Sequence, residues 1–456
     1  MSLTISFHGA VAKTTGSAHL LQMNNKRLLL DCGMIQGLPY HYNEHFSFDP
    51  ESIDYLALSH AHLDHVGRLP LLVKQGFEGP IYCTKATKDL AKIILLDAVE
   101  VAREEAKKTR RKPREEQIHP LYNKEEVYQT LKHFVTLNYQ ETHYLEKNLS
   151  VKLFDAGHIL GSAQIVIDFK GTKTAFTGDL GQNNTPLLRD PAPLPEIDYL
   201  ITESTYGDRN HPPMKQARER LIRHAKHTAE HGGKLLIPSF AIGRTQMLIY
   251  FLNELFESGE LDKMPVYIDS PMAVDATEIF LNHPECYDKE TLTLLRSGDN
   301  PLKFPELHYS RSYHDSRRIR QAWETCIVFA GSGMCTGGRI LSHLQNDLPT
   351  RNSVVLFVGF QAKNTLGREL VEGAEEVEIY DKKIPVRATI EMIRGFSAHA
   401  DKTELKNHIS QLPKAPKKTF VVHGEAEQSL LFAADLRNTL KIWARVPEYR
   451  DVYHLT

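Results

Sequence analysis

The sequence predicts an α/β protein, and three observations carry that prediction. Brief apolar runs at 27–30, 55–59 and 151–154 stop at Asp, His or Gly instead of continuing at helical spacing, as short strands do. From about residue 208 helical and strand patterns alternate, which is the signature of a parallel sheet covered by helices. Hydrophobic residues make up 41% and charged residues 25% of the 456, an ordinary globular balance. That length suggests two or three domains at roughly 150 residues each.

Taken in order, residues 27–30 read as a strand ending in Asp31-Cys32-Gly33, and 55–59 as a strand running straight into a histidine cluster. A short helix is expected at 69–74 and a strand at 81–83. Apolar residues then recur at helical spacing over 87–108. The basic run 107–114 that follows reads as a solvated loop. Asn123, with Glu126 three residues later, reads as the cap of a helix reaching about residue 134. Strand patterns return at 151–154, 164–169, 174–177 and 199–202, with a proline-rich surface loop at 186–195. Beyond 208 come helices at 215–231 and 244–257 and strands at 234–237, 266–268, 326–330 and 354–358. From about 369 the pattern returns to strands and short helices, ending near Phe420-Val421-Val422-His423.

Composition removes several classes. With 55 basic and 57 acidic side chains the net charge is -2, so any polyanion must meet a local patch or bound metal ions. No run approaches the ~18 apolar residues of a membrane span, and no signal-peptide pattern opens the chain. Five scattered cysteines without a CxxC pair argue against both a disulfide framework and a thiolate zinc site, and fit a reducing cytoplasm. Cys32 and Cys335 are expected to be small packed thiols.

The chemistry concentrates in His60-Ala61-His62-Leu63-Asp64-His65. His60 and His62 can point the same way and share one metal, while Asp64 and His65 lie further along the turn and can face a second. Imidazole nitrogen and carboxylate oxygen without thiolate suit zinc. The remaining ligands must come from elsewhere, and His158, Asp179, His399 and His423 each follow an apolar strand beside glycine or a small residue. His8, His19 and His41 carry no such signal.

These residues resemble a known family. Asp31, His60-x-His62-x-Asp64-His65, His158 and Asp179 resemble motifs one to four of the metallo-β-lactamase superfamily, and Glu203, His399 and His423 resemble motifs A, B and C of the β-CASP nucleases. The flanking words Gly157-His158-Ile159-Leu160-Gly161-Ser162, Glu203-Ser204-Thr205-Tyr206-Gly207 and Gly395-Phe396-Ser397-Ala398-His399-Ala400-Asp401 match as well. The likeness is closest to compact prokaryotic RNA-processing members and to the endonuclease subunit of the pre-mRNA 3′-end cleavage factor. It implies an αββα sandwich over 1–207 and 369–456, with an inserted α/β β-CASP cap over 208–368. It also implies one zinc on His60, His62 and His158, a second on Asp64, His65 and His423, Asp179 bridging them, and Asp31 orienting a ligand histidine. Manganese suits the same donors. DNA-directed relatives such as Artemis carry valine at motif C, so His423 implies RNA. Neither a KH-type extension nor a further C-terminal domain of the RNase J kind is seen, which weighs against a strict 5′-exonuclease.

The implied reaction is hydrolysis of single-stranded RNA by endonuclease action, with exonuclease action left open. Two metal ions would acidify water to hydroxide near neutral pH. Asp64 and Asp179 would take part through the metals, and His399, held by Glu203, would protonate the leaving oxygen. The glycine-rich turn 331–339, with Ser332 and Gly333, and the turn 239–246, with Arg244, are candidate phosphate contacts, as is Ser397. Arg311, Arg317, Arg318 and Arg320 read as a solvated face. A homodimer is compatible with this reading. The competing expectations are a thioesterase- or lactonase-like hydrolase on the same fold, a non-cutting RNA-binding subunit, and a DNA nuclease.

Overall fold

Alternation along the first strand sets the geometry of the rest. Leu3–Phe7 buries Leu3, Ile5 and Phe7 and turns Thr4 and Ser6 outward, as successive side chains of a strand must. In the computed structural model, which describes residues 2–110, 118–359, 361 and 364–455, this strand belongs to the first of two compact units. That unit joins Met1–Asn210 to His399–Thr456, and the second is His211–Ala398.

The first unit holds two seven-stranded sheets. One runs Val452–His454, Leu3–Phe7, His19–Met23, Lys26–Leu30, Tyr55–Ala57, Ile81–Cys83, Phe134–Thr136. The other runs Ala444–Arg445, Lys418–Val421, Tyr199–Thr202, Thr172–Phe176, Ala163–Phe169, Leu149–Asp155, Thr142–Glu146. Their inner faces meet in one core, with Ile5, Phe7, Leu21 and Leu28 from the first packed with Val151, Ile165, Phe176 and Phe420 from the second. A second cluster packs Leu405 and Ile409 of the helix Lys402–Ser410 and Phe432 of Ala426–Asp435 with Val166 and Leu200 of the second sheet. This is the αββα sandwich.

Register decides where the strand ends fall. Leu30 pairs with Ala57 in parallel, Phe176 with Ile201, and Thr202 with Val421. Neighbouring parallel strands therefore finish level, and the residues just beyond them, from Asp31 to His423, leave from matched carboxyl ends. That is where ligands gather in such sheets.

The second unit carries a six-stranded, wholly parallel sheet. Its order is Leu307–Tyr309, Val266–Asp269, Cys326–Ala330, Lys234–Pro238, Val354–Phe357, Thr389–Met392. The two central strands are buried at every position, because helices cover both faces of a parallel sheet.

Three expectations change. Residues 369–398 belong to the second unit, not to the sandwich. Thr389–Met392 adds to that unit's sheet beside Val354–Phe357, and the hairpin Glu376–Ile379 with Lys382–Pro385 buries Val377, Ile379 and Ile384 in its core. Lys107 and Lys108 form the last turn of the helix Lys85–Thr109 and pair with Glu104 and Glu105, so they are not loop residues. The rest of that basic run, 111–114, lies outside the described residues. The proline-rich segment buries Leu187, Leu188 and Leu194 and so covers core as well as surface.

Candidate metal centre

Asp31 opens the site from below. It follows Lys26–Leu30 with φ of 59°, a left-handed conformation that Asp tolerates better than most residues, and it is fully buried. Its Oδ1 accepts the Ser59 N–H at 2.8 Å, and its Oδ2 accepts from the hydroxyls of Ser59 at 2.8 Å and Ser17 at 3.1 Å. His65 Nδ1 donates to the same oxygen at 2.7 Å, which makes Nε2 the lone-pair nitrogen whenever the ring is neutral. Because the Ser59 hydroxyl donates to Asp31, it accepts from His60 Nδ1, 3.1 Å away, and again Nε2 is left bare. One carboxylate thus sets two ring orientations.

The lone pairs converge. His60 Nε2 and His158 Nε2 each lie 3.1 Å from His62 Nδ1, and His65 Nε2 lies 3.3 Å from His423 Nε2. Asp179 sits among them: its Oδ2 is 3.4 Å from His60, 3.5 Å from His65 and 3.6 Å from His158, and its Oδ1 is 3.4 Å from His423. Asp64 Oδ2 lies 3.6 Å from His423 Nε2. Donors held ~2.0–2.1 Å from a tetrahedral ion lie about 3.3 Å apart. The buried Asp179 Oδ1 has no hydrogen-bond partner among the described residues, which would be costly without a cation beside it. The histidine and aspartate cluster is therefore compatible with a metal site, with His60, His62, His158 and Asp179 on one side and Asp64, His65 and His423 on the other.

Charge follows the same division. Burial, reinforced by the neighbouring His65, holds His60 well below the ordinary histidine range. Burial also lowers His62 to about 4, against the pull of Asp64 and Asp179. Neutral imidazole is the ligand form. At His65 burial acts in the same direction, but Asp179, Asp31 and Asp64 outweigh it and hold the ring well above its usual value. Burial opposes ionisation of Asp179, yet His423, His65 and His60 keep it well below the carboxylate range.

Close approach needs glycine here. A Cβ on Gly33 would lie 1.5 Å from the Asp64 carbonyl oxygen, and one on Gly178, at φ of 54°, would lie 2.4 Å from Ser59 Cβ.

Glu203 and His399 form a second arrangement against the first. Glu203 is fully buried, accepting the Leu180 N–H at 2.6 Å and the Thr205 N–H at 3.2 Å. His399 Nδ1 donates to Glu203 Oε1 at 3.3 Å and lies 3.9 Å from Asp179 Oδ2. Its ring stands 4.5 Å from that of His158 and 6.1 Å from that of Tyr206. Burial lowers the His399 pKa, but Glu203 outweighs it and sets it above the ordinary value.

Asp31, His60, His62, Asp64, His65, His158, Asp179, Glu203, His399 and His423 all belong to the first unit and form this one cluster. Arg244, Ser332, Gly333 and Ser397 belong to the second unit. There the Arg244 guanidinium stands 5.5 Å from the Phe240 ring, and Gly333 packs on that ring. The Ser332 hydroxyl accepts the Thr336 N–H at 2.9 Å, and Ser397 is buried. The 331–339 turn is partly self-closed, with the N–H groups of Ser332, Cys335 and Ile340 bonded to Gly337, Ser332 and Gly331. Cys32 and Cys335 are packed thiols that burial pushes up to about 12. Sequence reasoning missed Ser17, Ser59 and Tyr206. Serines carry no spacing signal, although Ser59 directly precedes His60.

Comparison with known proteins agrees with this geometry. Residues 20–180 match a metallo-beta-lactamase superfamily domain, 245–370 a Beta-Casp domain, and 383–447 a Zn-dependent metallo-hydrolase RNA specificity domain. A ribonuclease of Thermus thermophilus is 37% identical over 423 residues, 92% of this chain and 93% of that one. An RNase J-like protein of Methanocaldococcus jannaschii is 34% identical, covering 97% of each chain. The transcription termination factor FttA of the same organism is also 34% identical, over 98% of this chain and 71% of that one. A solved structure of a protein of unknown function from Enterococcus faecalis shares the fold at a TM-score of 0.55 and 14% identity, covering 100% of both chains. With its sandwich, its inserted sheet and its histidine–aspartate cluster, the chain belongs to the β-CASP family of the metallo-β-lactamase superfamily.

Proposed function

We propose that the chain is a zinc-dependent ribonuclease that hydrolyses phosphodiester bonds of single-stranded RNA, as an endonuclease with exonuclease action in addition. The observation that carries this reading is the Glu203–His399 pair, set 3.9 Å from the carboxylate at the centre of the donor cluster. A water-activating centre needs only the cluster. Expelling an alkoxide also needs a proton donor beside it.

His60, His62 and His158 would hold one zinc and Asp64, His65 and His423 a second, with Asp179 serving both. When bound, such a pair acidifies water and neutralises charge on a phosphate oxygen. Asp31 keeps His65 in its ligand tautomer and, through Ser59, does the same for His60. His399 gives its proton to the leaving oxygen, and Glu203 favours the protonated ring by raising its pKa. Within the second unit, Arg244, Ser332, Gly333 and Ser397 are the candidate phosphate contacts. A reducing cytoplasm accords with five buried, unbridged thiols. No helix among the described residues is long and apolar enough to cross a membrane.

The test is to load the protein with zinc and offer labelled single-stranded RNA, single-stranded DNA and thioesters in parallel. RNA cleavage with both product ends sequenced supports the reading and separates internal from terminal cutting. Thioester turnover without RNA cleavage overturns it.

A further inference from the structure

The second unit presents one surface that the catalytic reading leaves unused. The helix Tyr313–Gln321 is capped by Ser312, whose hydroxyl accepts the Asp315 N–H while Asp315 accepts back from the Ser312 N–H. Its inner positions Ser316 and Ile319 are buried, and Ser316 donates to the buried Asp269 at 2.6 Å. Its carboxyl end is held by Lys234, whose ammonium donates to the carbonyls of Ile319 and Arg320 at 2.9 Å each. The helix is thus tied at both ends and along its inner side.

The outer side is basic and aromatic. His314, Arg317, Arg318 and Gln321 follow helical spacing and are exposed. Tyr313 is 70% exposed, with the Arg320 guanidinium 5.3 Å from its ring, and Trp323, just past the helix, is 101% exposed. The nearby acids are engaged: Asp315 in the cap and Glu324 by the Tyr267 hydroxyl. Arg311 pairs with Asp275 and Glu278, and Arg339 with Asp269. Arg317 and Arg318 make no ion pair among the described residues, although the chain as a whole is slightly acidic.

We infer that this face is an accessory binding surface for single-stranded RNA, which rests on the ribonuclease reading above. A polyanion complements two exposed guanidinium groups that form no ion pair among the described residues, and a fully exposed indole offers a stacking platform that any base can use. From Tyr313 to Trp323 the face extends on the order of 15 Å. The surface therefore adds affinity for RNA through residues that are not part of the donor cluster.

The experiment compares the wild type with Trp323→Ala and with the double variant Arg317→Gln/Arg318→Gln, all checked for unchanged melting. Binding of a labelled single-stranded RNA of about thirty nucleotides is followed by anisotropy in EDTA over a salt series. Cleavage of an RNA of about eight nucleotides is followed with zinc restored. The expected result is roughly tenfold weaker binding for Trp323→Ala. For the double variant the salt slope should fall by about 1.4, at ~0.7 per phosphate contact. Cleavage of the short RNA should be unchanged in both. Unchanged binding and slope in both variants, with the short RNA still cut, overturns the accessory surface and leaves the ribonuclease reading standing. Altered self-association with unchanged RNA binding also overturns it, in favour of a protein contact. A wild type that neither binds nor cuts RNA removes both readings.

Discussion

His399 lies beside two carboxylates, 3.3 Å from Glu203 and 3.9 Å from Asp179, and in the proposed function only Asp179 is given to the metals. His399→Ala should therefore keep its metals while cleavage falls by roughly 10²–10⁴-fold, measured by metal analysis alongside RNA turnover. Because Glu203 raises the His399 pKa, the ring keeps its proton to higher pH than an ordinary histidine and loses it as pH rises through the raised value. Glu203→Gln removes that support, so the alkaline limb of the rate profile should move to lower pH. An unmoved limb would assign the acid elsewhere. In the second unit Asp269 accepts from His343, Ser316, Ser310 and Arg339; burial opposes its ionisation, but His343, Ser316 and Ser310 outweigh it and lower its pKa to about 2. A depressed carboxyl stabilises the fold above the unfolded value near 3.9 and loses that stabilisation as pH falls through about 2, a contribution of about 2 kcal/mol. Asp269→Asn should cost on the order of 3 kcal/mol by denaturant unfolding, since it removes the buried charge that pairs with the buried His343 and the half-buried Arg339.

Among the elements, the strand ends were the part most open to reading from the chain. An apolar run that stops at His60, Asp179 or His423 reports both a strand and a donor at its carboxyl end, and parallel register does the rest. What stayed illegible was partnership. The segment 376–392 reads as strands, but spacing does not say which sheet an edge strand will join, and it joined the second unit's. The tautomer control by Ser59 was equally hidden, because it depends on where a hydroxyl proton points. The tightest element contact is Gly33 against the turn of Asp64. Gly33→Ala should displace that turn and reduce bound metal, read by metal content after desalting, while peptides of the second unit keep their hydrogen-exchange protection.

At the scale of the molecule, each unit has its own core. The sandwich packs around residues such as Phe7, Phe176 and Phe420, and the inserted sheet around Val328, Val355 and Phe357. A ligand that binds only the folded first unit stabilises that unit alone. Chelation should therefore lower the unfolding midpoint reported by Trp443 in a Trp323→Phe background. Protection of the strand Cys326–Ala330 against hydrogen exchange should stay as it was. A shift of both together would show that the units unfold as one.

The insertion also orders events in time. The strand Lys418–Val421, which delivers His423, lies beside Tyr199–Thr202 yet is made after the whole of His211–Ala398. A chain still on the ribosome that has emerged only to Ala398 carries the early histidines but neither His399 nor His423. A donor cluster assembled in this order is complete only after the whole inserted unit has been synthesised.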